Sequence, residues 1–568
     1  TDDRAEAARN ALSRRRLIQL SGAGAGASLL AAHGQSAAAR QDAAGSPVAG
    51  ANPFGEPTTQ GGIYTVAGVG SGVPRNFIPT SYFGTTPFYH CKLIYTPLII
   101  LDRSWQEFSP ALATDWSWSD DDLQLTLSLR DDVTFHDGEA FTAEDVVFTY
   151  QLMVRADRAP AVQDISILQG APEFKEGTTD EFPGVEAIDD LTVRFNLSAP
   201  SGVFLHNISN CGILPAHAFP AEALAAGGAV EEMPFYNFEA GPPFGTGPWK
   251  VADYNPETNI RLEANPDYFK GRPILDGITM LYGITGPAGI SGIQAGEFDG
   301  YYVGAAFQDI RVLDESGQFE MLFDYDLANE QVLIVATEKE YMSVPVRQAL
   351  LTAIDTQTLI DAVSFGYARP APAIMMHPSL FPNENLPEYT YDPERARELL
   401  AEGGWDESRT LKVGQFVAEG QPNSILAALM DMWLEAGIQT EFTPLDPANQ
   451  VEIQRSEDHP YDFTFQSYAW LAYNPSSTYS NFACERRPNH ANYCNPDYDA
   501  ALQAAIRTLD PAAATALYQQ AQTILQTELP YAPIWIEPAT WAFTPRLHGG
   551  NMGRGPLNDV LSELWWKE

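Results

Sequence analysis

Between residues 411 and 442 the chain reads strand, helix, strand, and this alternation constrains the fold more than any other stretch. Leu411–Val417 is extended and apolar, Ser424–Ala436 has a helical period that stops at Gly437, and Ile438–Phe442 is again a strand. Strands joined through a helix run parallel, and a parallel sheet needs helices on its faces. The class expected is therefore α/β. Further helices carry clear signals. Pro345–Ala353 is one, and Asp355 caps another that ends near Gly366. Asp392-Pro393-Glu394-Arg395 places an acid at the cap and proline at the first helical position, with a stop at Gly403-Gly404. Asp510-Pro511 opens a last long helix that ends before Pro530.

The N-terminal half reads differently, as paired strands. Gly61–Val69 is a first strand, and Thr85–Ile100 a helix followed by an apolar strand. Leu123, Leu125, Leu127 and Leu129 alternate with polar residues, with Val133–Gly138 expected to close the hairpin. Thr142 stands at a helix N-cap with Asp145 at the capping-box position. Val185–Asp189 and Leu191–Leu197 form a second pair, and Gly245–Lys250 begins a third that ends near Tyr268. A chain of 568 residues is too long for one core, so two or three domains are expected.

The charge balance narrows the partners. With 33 basic against 74 acidic residues the formal net charge is −41, which disfavours nucleic acid and anionic membrane surfaces. No catalytic residues are expected. There is no G-x-S-x-G and no H-E-x-x-H, and His136-Asp137 reads as a turn leading into a helix. Gly245-Thr246-Gly247-Pro248-Trp249 lacks the lysine of a phosphate loop, so it reads as a backbone turn. No cofactor is implied. His490 lies between Cys484 and Cys494, but nothing supplies two further metal ligands at a recognisable spacing.

The first 60 residues stand apart from the fold. Arg14-Arg15-Arg16 precede a short run rich in glycine and alanine, and Ala37-Ala38-Ala39 follows. These make residues 1–39 an expected Tat-type signal peptide and residues 40–60 a flexible linker. No cysteine follows the run, so a lipobox is not expected, and the run is too short and glycine-rich for a membrane span. Export permits disulfides, and the four cysteines are an even number. Cys484 and Cys494 bracket a short loop and are expected to pair, with Cys91 and Cys211 the candidate second pair.

A candidate pocket lies in Tyr461–Phe482. Tyr461, Phe463 and Phe465 alternate with Asp462, Thr464 and Gln466, as in a half-buried strand. The chain then enters a dense aromatic and polar turn. Tyr468, Trp470 and Tyr473 offer ring faces and Asn474 an amide, the materials of a small-molecule pocket.

Five further segments, in this order, carry a family resemblance: Leu112–Phe148, Gly245–Phe269, Val346–Asp355, Tyr391–Trp405 and Asn492–Gln503. With them the chain resembles the family 5 extracellular solute-binding proteins of ABC importers, the dipeptide- and oligopeptide-binding group. The resemblance implies a two-lobed, periplasmic-binding-protein-like α/β fold, with a hinge and an extra subdomain on the first lobe. It places lobe I at 61–103, 237–330 and 530–568, the subdomain at 104–236 and lobe II at 331–529. A solute is enclosed between the lobes by hinge closure and delivered to a membrane permease, without enzymatic chemistry, by a monomer outside the cytoplasm. The ligand contacts implied are Trp470, Leu471, Tyr473, Asn474 and Tyr468, with Phe77 and Pro79 from the other lobe. Peptide binders of the family carry an aspartate just after this turn that pairs with the peptide's ammonium group. Here Ala472-Tyr473-Asn474-Pro475 holds no carboxylate. The solute expected is peptide-like, with an oligosaccharide as the alternative and a secreted hydrolase a remote one.

Overall fold

The computed structural model describes residues 61–68, 91–101, 107–155, 165–224, 241–255, 257–373, 381–417, 423–469, 480–484, 489–548 and 565–566. The strands that build its two main sheets are, in chain order, β1 (Ile63–Ala67), β2 (Ala113–Trp118), β3 (Gln124–Leu129), β4 (Val185–Asp189), β5 (Thr192–Asn196), β6 (Trp249–Asn255), β7 (Asn259–Ala264), β8 (Gly277–Leu281), β9 (Gly300–Gly304), β10 (Glu320–Val335), β11 (Thr410–Phe416), β12 (Gln439–Leu445), β13 (Phe463–Ala469) and β14 (Tyr531–Phe543). The principal helices are α1 (Ala143–Arg155), α2 (Val344–Thr352), α3 (Pro393–Glu402), α4 (Ser424–Glu435), α5 (Pro496–Arg507) and α6 (Pro511–Glu528).

One mixed sheet of 11 strands runs in the order β12-β11-β13-β10-β14-β9-β1-β8-β7-β6, with the short strand Arg369–Pro370 pairing β14 off this path. The β11-α4-β12 unit forms as its sequence predicts. β11 and β12 pair in parallel from Thr410↔Gln439 to Phe416↔Leu445. The Leu426 amide donates to Asn423 Oδ1 at 2.8 Å to start α4. The caps of α3 and α6 also form: Glu394 and Arg395 amides donate to Asp392 Oδ1 at 3.0 and 2.9 Å, and the Ala513 amide to Asp510 Oδ1 at 2.7 Å.

A second sheet, in the order β2-β3-β5-β4, packs with α1 around Leu125, Leu127, Val146, Tyr150, Phe195 and Phe204. Its hairpin differs from the expectation. β3 pairs with β2, which precedes it, across the acidic turn at residues 119–123, and Val133–Gly138 contributes only an isolated bridge, Thr134↔Ala140. Ser119 and Asp121 close that turn, with Ser119 Oγ donating to Asp121 Oδ1 at 2.6 Å. At α1 the Asp145 carboxylate reaches back to the Thr142 amide at 2.9 Å, the acidic half of a capping box.

β13 also differs from its half-buried reading. It lies between β11 and β10, and its first three residues are buried on both faces, while Ser467 further along is exposed. Phe463 and Phe465 pack with Trp433, Leu429 and Trp535, while the face bearing Thr464 is buried as well. Beneath the opposite face of β10, α5 and α6 pack over Val332, Ile334 and Tyr531.

Two strands, β10 and β14, join the two halves of the large sheet. Glu320–Asp324 pair with Phe543–Ala539, and Asn329–Ile334 pair with Glu537–Tyr531. Between these registers residues 325–328 stand opposite Pro538 alone. Proline donates no ladder hydrogen bond, so the pairing breaks there. On one side of the break β14 continues beside β9, and on the other β10 continues beside β13.

Candidate ligand site

Buried and half-buried polar and aromatic side chains gather where the β10–β14 pairing breaks. Glu537, the last residue of one register, is 7% exposed. The Trp535 indole Nε1 donates to its Oε1 at 3.3 Å. Burial holds the Glu537 carboxyl above its ordinary range, opposed by hydrogen bonds from Gln331 and Trp535. Across the break, Tyr302 on β9 packs against Trp541 with ring centroids 4.8 Å apart. Burial raises the Tyr302 hydroxyl, and the negative charges of Asp324 and Glu537 raise it further. Arg369 lays its guanidinium 3.7 Å from the Tyr325 ring centroid, and the Tyr325 hydroxyl donates to Tyr367 O at 2.7 Å.

This arrangement can bind but shows no catalytic geometry. Nothing in it pairs a nucleophile with a base, and among the described residues no group of three or more His, Cys, Asp or Glu could hold a metal. Strand β13 delivers the chain to the same place, since Ala469 pairs with Asn329 and Tyr468 with Glu330. Trp470, Leu471, Tyr473, Asn474, Phe77 and Pro79 lie outside the described residues. Tyr468 is described and half-buried; its ring lies edge-on to Tyr531 at 5.8 Å and His490 at 6.1 Å, and burial pushes its hydroxyl up to about 12.

The expected Cys484–Cys494 disulfide is present. The second pair is not. Cys91 and Cys211 are free, buried thiols. Each serves a different core as a small apolar group, Cys91 beside Tyr64 and Leu93, Cys211 beside Tyr150 and Ile208. The Cys211 sulfur lies 3.3 Å from Met153 Sδ, and burial pushes its thiol up to about 12.

His136 has a structural role. Its Nε2 lies 2.9 Å from Gly247 O and its Nδ1 3.3 Å from the Gly245 amide, so the ring pins the glycine turn. Burial is the main cause that lowers its pKa to about 4. A β-carbon on Gly247 would stand 2.5 Å from the carbonyl oxygens of Leu93 and Ile94, so this glycine serves close packing and not phosphate. The residues at the strand break escaped sequence reading. Their one signal is Glu537-Pro538, an acid and a proline inside the apolar run Tyr531–Phe543.

The fold is that of the two-lobed solute-binding proteins. It matches the ABC transporter substrate binding protein CtaP of Listeria monocytogenes with a TM-score of 0.75 and 25% identity, covering 90% of this chain and 100% of that one. In sequence it is 27% identical over 477 residues to a Brucella ovis protein named for ABC-transporter peptide binding, covering 82% of this chain and 85% of the relative. It is 28% identical over 482 residues to di/tripeptide-binding protein 4 of Pseudomonas aeruginosa, covering 81% and 87%. The family described as bacterial extracellular solute-binding proteins, family 5, middle, matches residues 107–489, and the chain belongs to it. Its members are binding proteins and not enzymes, in line with the absence of catalytic motifs. Among the described residues no helix is long and apolar enough to cross a membrane.

Proposed function

We propose that this chain is the extracytoplasmic substrate-binding component of an ABC importer, capturing a peptide-like solute between two lobes and presenting it to a membrane permease. The observation that carries the reading is the pair of crossover strands. β10 and β14 each serve both halves of the sheet and lose their pairing in the middle, where a hinge would bend at little cost in hydrogen bonds. Family membership and relatives named for peptides favour a peptide over the oligosaccharide. In this reading lobe I comprises 61–103, 237–330 and 530–568, the subdomain 104–236 and lobe II 331–529. Trp470, Leu471, Tyr473, Asn474 and Tyr468 face the solute from one lobe, Phe77 and Pro79 from the other. The protein acts as a monomer, exported behind a Tat-type signal at 1–39.

Mass spectrometry of the solute released from gently denatured, purified protein tests the reading. A peptide or peptide-like compound supports it. A retained glycan, with no thermal shift from any member of a peptide panel, sinks it.

A further inference from the structure

We propose that Glu537 is the anchor for a positively charged group on the solute, an ammonium or a guanidinium. The proposal rests on the reading of a peptide-like solute held at the crossover. Three observations converge on it.

First, Glu537 is 7% exposed, and its described contacts are the neutral N–H groups of Trp535 and Gln331. Among the described residues no lysine, arginine or histidine forms an ion pair with it. Arg369, on the strand paired with β14, turns its guanidinium onto the Tyr325 ring. A buried carboxylate without a counter-ion is several kcal/mol less favourable than a paired one. A glutamine would accept the same two hydrogen bonds without that cost, so the contacts of Glu537 among the described residues do not by themselves explain the acid.

Second, Glu537 stands at the break between the two registers of β10 and β14, beside Pro538 and across from Asn329. This is the point that both halves of the sheet share, so a solute bound there touches both. Third, aromatic rings accompany the carboxylate. Trp535 is in contact with it, and Tyr302 lies within reach of its charge and packs on Trp541. Aromatic rings around a carboxylate favour an organic cation over a metal ion. The turn after Trp470 holds no acid, so in this chain the crossover strand supplies the charge.

The test is calorimetric titration, at fixed ionic strength and neutral pH, of the full protein and its Glu537→Gln and Glu537→Asp variants. The probes are Ala-Ala-Ala, N-acetyl-Ala-Ala-Ala and N-acetyl-Ala-Lys-Ala. The wild-type protein is expected to bind a probe that carries a cationic group about thirtyfold or more tighter than N-acetyl-Ala-Ala-Ala, which carries none; all three share the same C-terminal carboxylate. The preferred cationic probe tells whether the main-chain ammonium or a side chain is read. Glu537→Gln should erase the preference while its ligand-free melting temperature holds or rises, and Glu537→Asp should keep part of the preference. A purely structural Glu537 would move the melting temperature of Glu537→Gln and leave the preference intact, which overturns the proposal. Equal wild-type affinity for all three probes overturns it too, and leaves the peptide reading standing. Wild-type protein that binds none of the three overturns both.

Discussion

Trp470 is the one ring on which the proposed site most depends. Burying an indole against a solute contributes about 1–3 kcal/mol, so Trp470→Ala should weaken binding by that amount with an unchanged far-ultraviolet spectrum. Titration with the retained solute checks it, and unchanged affinity removes the ring from the site. Histidines set a pH response. Burial is the first cause that lowers His136, His206 and His490 to about 4, against 6.5 in the unfolded chain. Between those values the unfolded chain binds more protons than the folded one. The histidine contribution is therefore complete above about pH 6.5 and is lost as pH falls, by ~1.4 kcal/mol per pH unit for each ring. The raised carboxyls of Asp145 and Glu537 work in the opposite sense. Urea unfolding at pH 7 and pH 5 should show the lower midpoint at pH 5; equal midpoints would mean that the histidines do not outweigh the raised carboxyls. Single residues were legible where they act locally. Asp392 and Asp510 announce their caps, whereas Glu537 became visible only when Trp535, Tyr302 and the strand break surrounded it.

Among the elements, the loop closed by Cys484–Cys494 bears on stability and on the site together. It carries His490, which packs against Tyr468, and Tyr493, which packs with α5. Opening it, by reduction or by a double Cys→Ser replacement, should lower stability by about 2–3 kcal/mol in denaturant titration. Thiol titration separates the two cysteine pairs. The native oxidised protein should show no reactive thiol, the denatured oxidised protein the two from Cys91 and Cys211, and the reduced denatured chain all four. No thiol on denaturation of the oxidised protein would mean that Cys91 and Cys211 are bridged after all. Helices and parallel strands were legible because caps and periods are local. The partner of β3 was not, because Ala113–Trp118 and Val133–Gly138 both flank it closely, and the pairing was settled by packing against β5 and α1. β13 was misread for a related reason. The polar residues Asp462, just before it, and Thr464 and Gln466 within it suggest solvent, yet Asp462 is buried and accepts from the Tyr341 hydroxyl at 2.6 Å and the Lys412 amide at 2.7 Å.

For the molecule as a whole, closure about the β10–β14 break should appear in solution scattering as a smaller radius of gyration with saturating solute. An unchanged profile would argue against a hinge. The formal charge of −41 predicts in addition that moderate salt raises the melting temperature, since screening relieves self-repulsion; a flat response would mean the acids are already neutralised locally. What the amino-acid order determined by itself was the α/β class, the capped helices, the acidic surface and the likeness to solute-binding proteins, all of which depend on neighbours a few residues apart. Tertiary structure alone decided which strands cross between the sheet halves, which cysteines stay free and which carboxylate stands at the junction. Those outcomes depend on residues more than two hundred positions apart, such as Tyr302 and Glu537, and no local pattern records which distant side chains will share a dry interior.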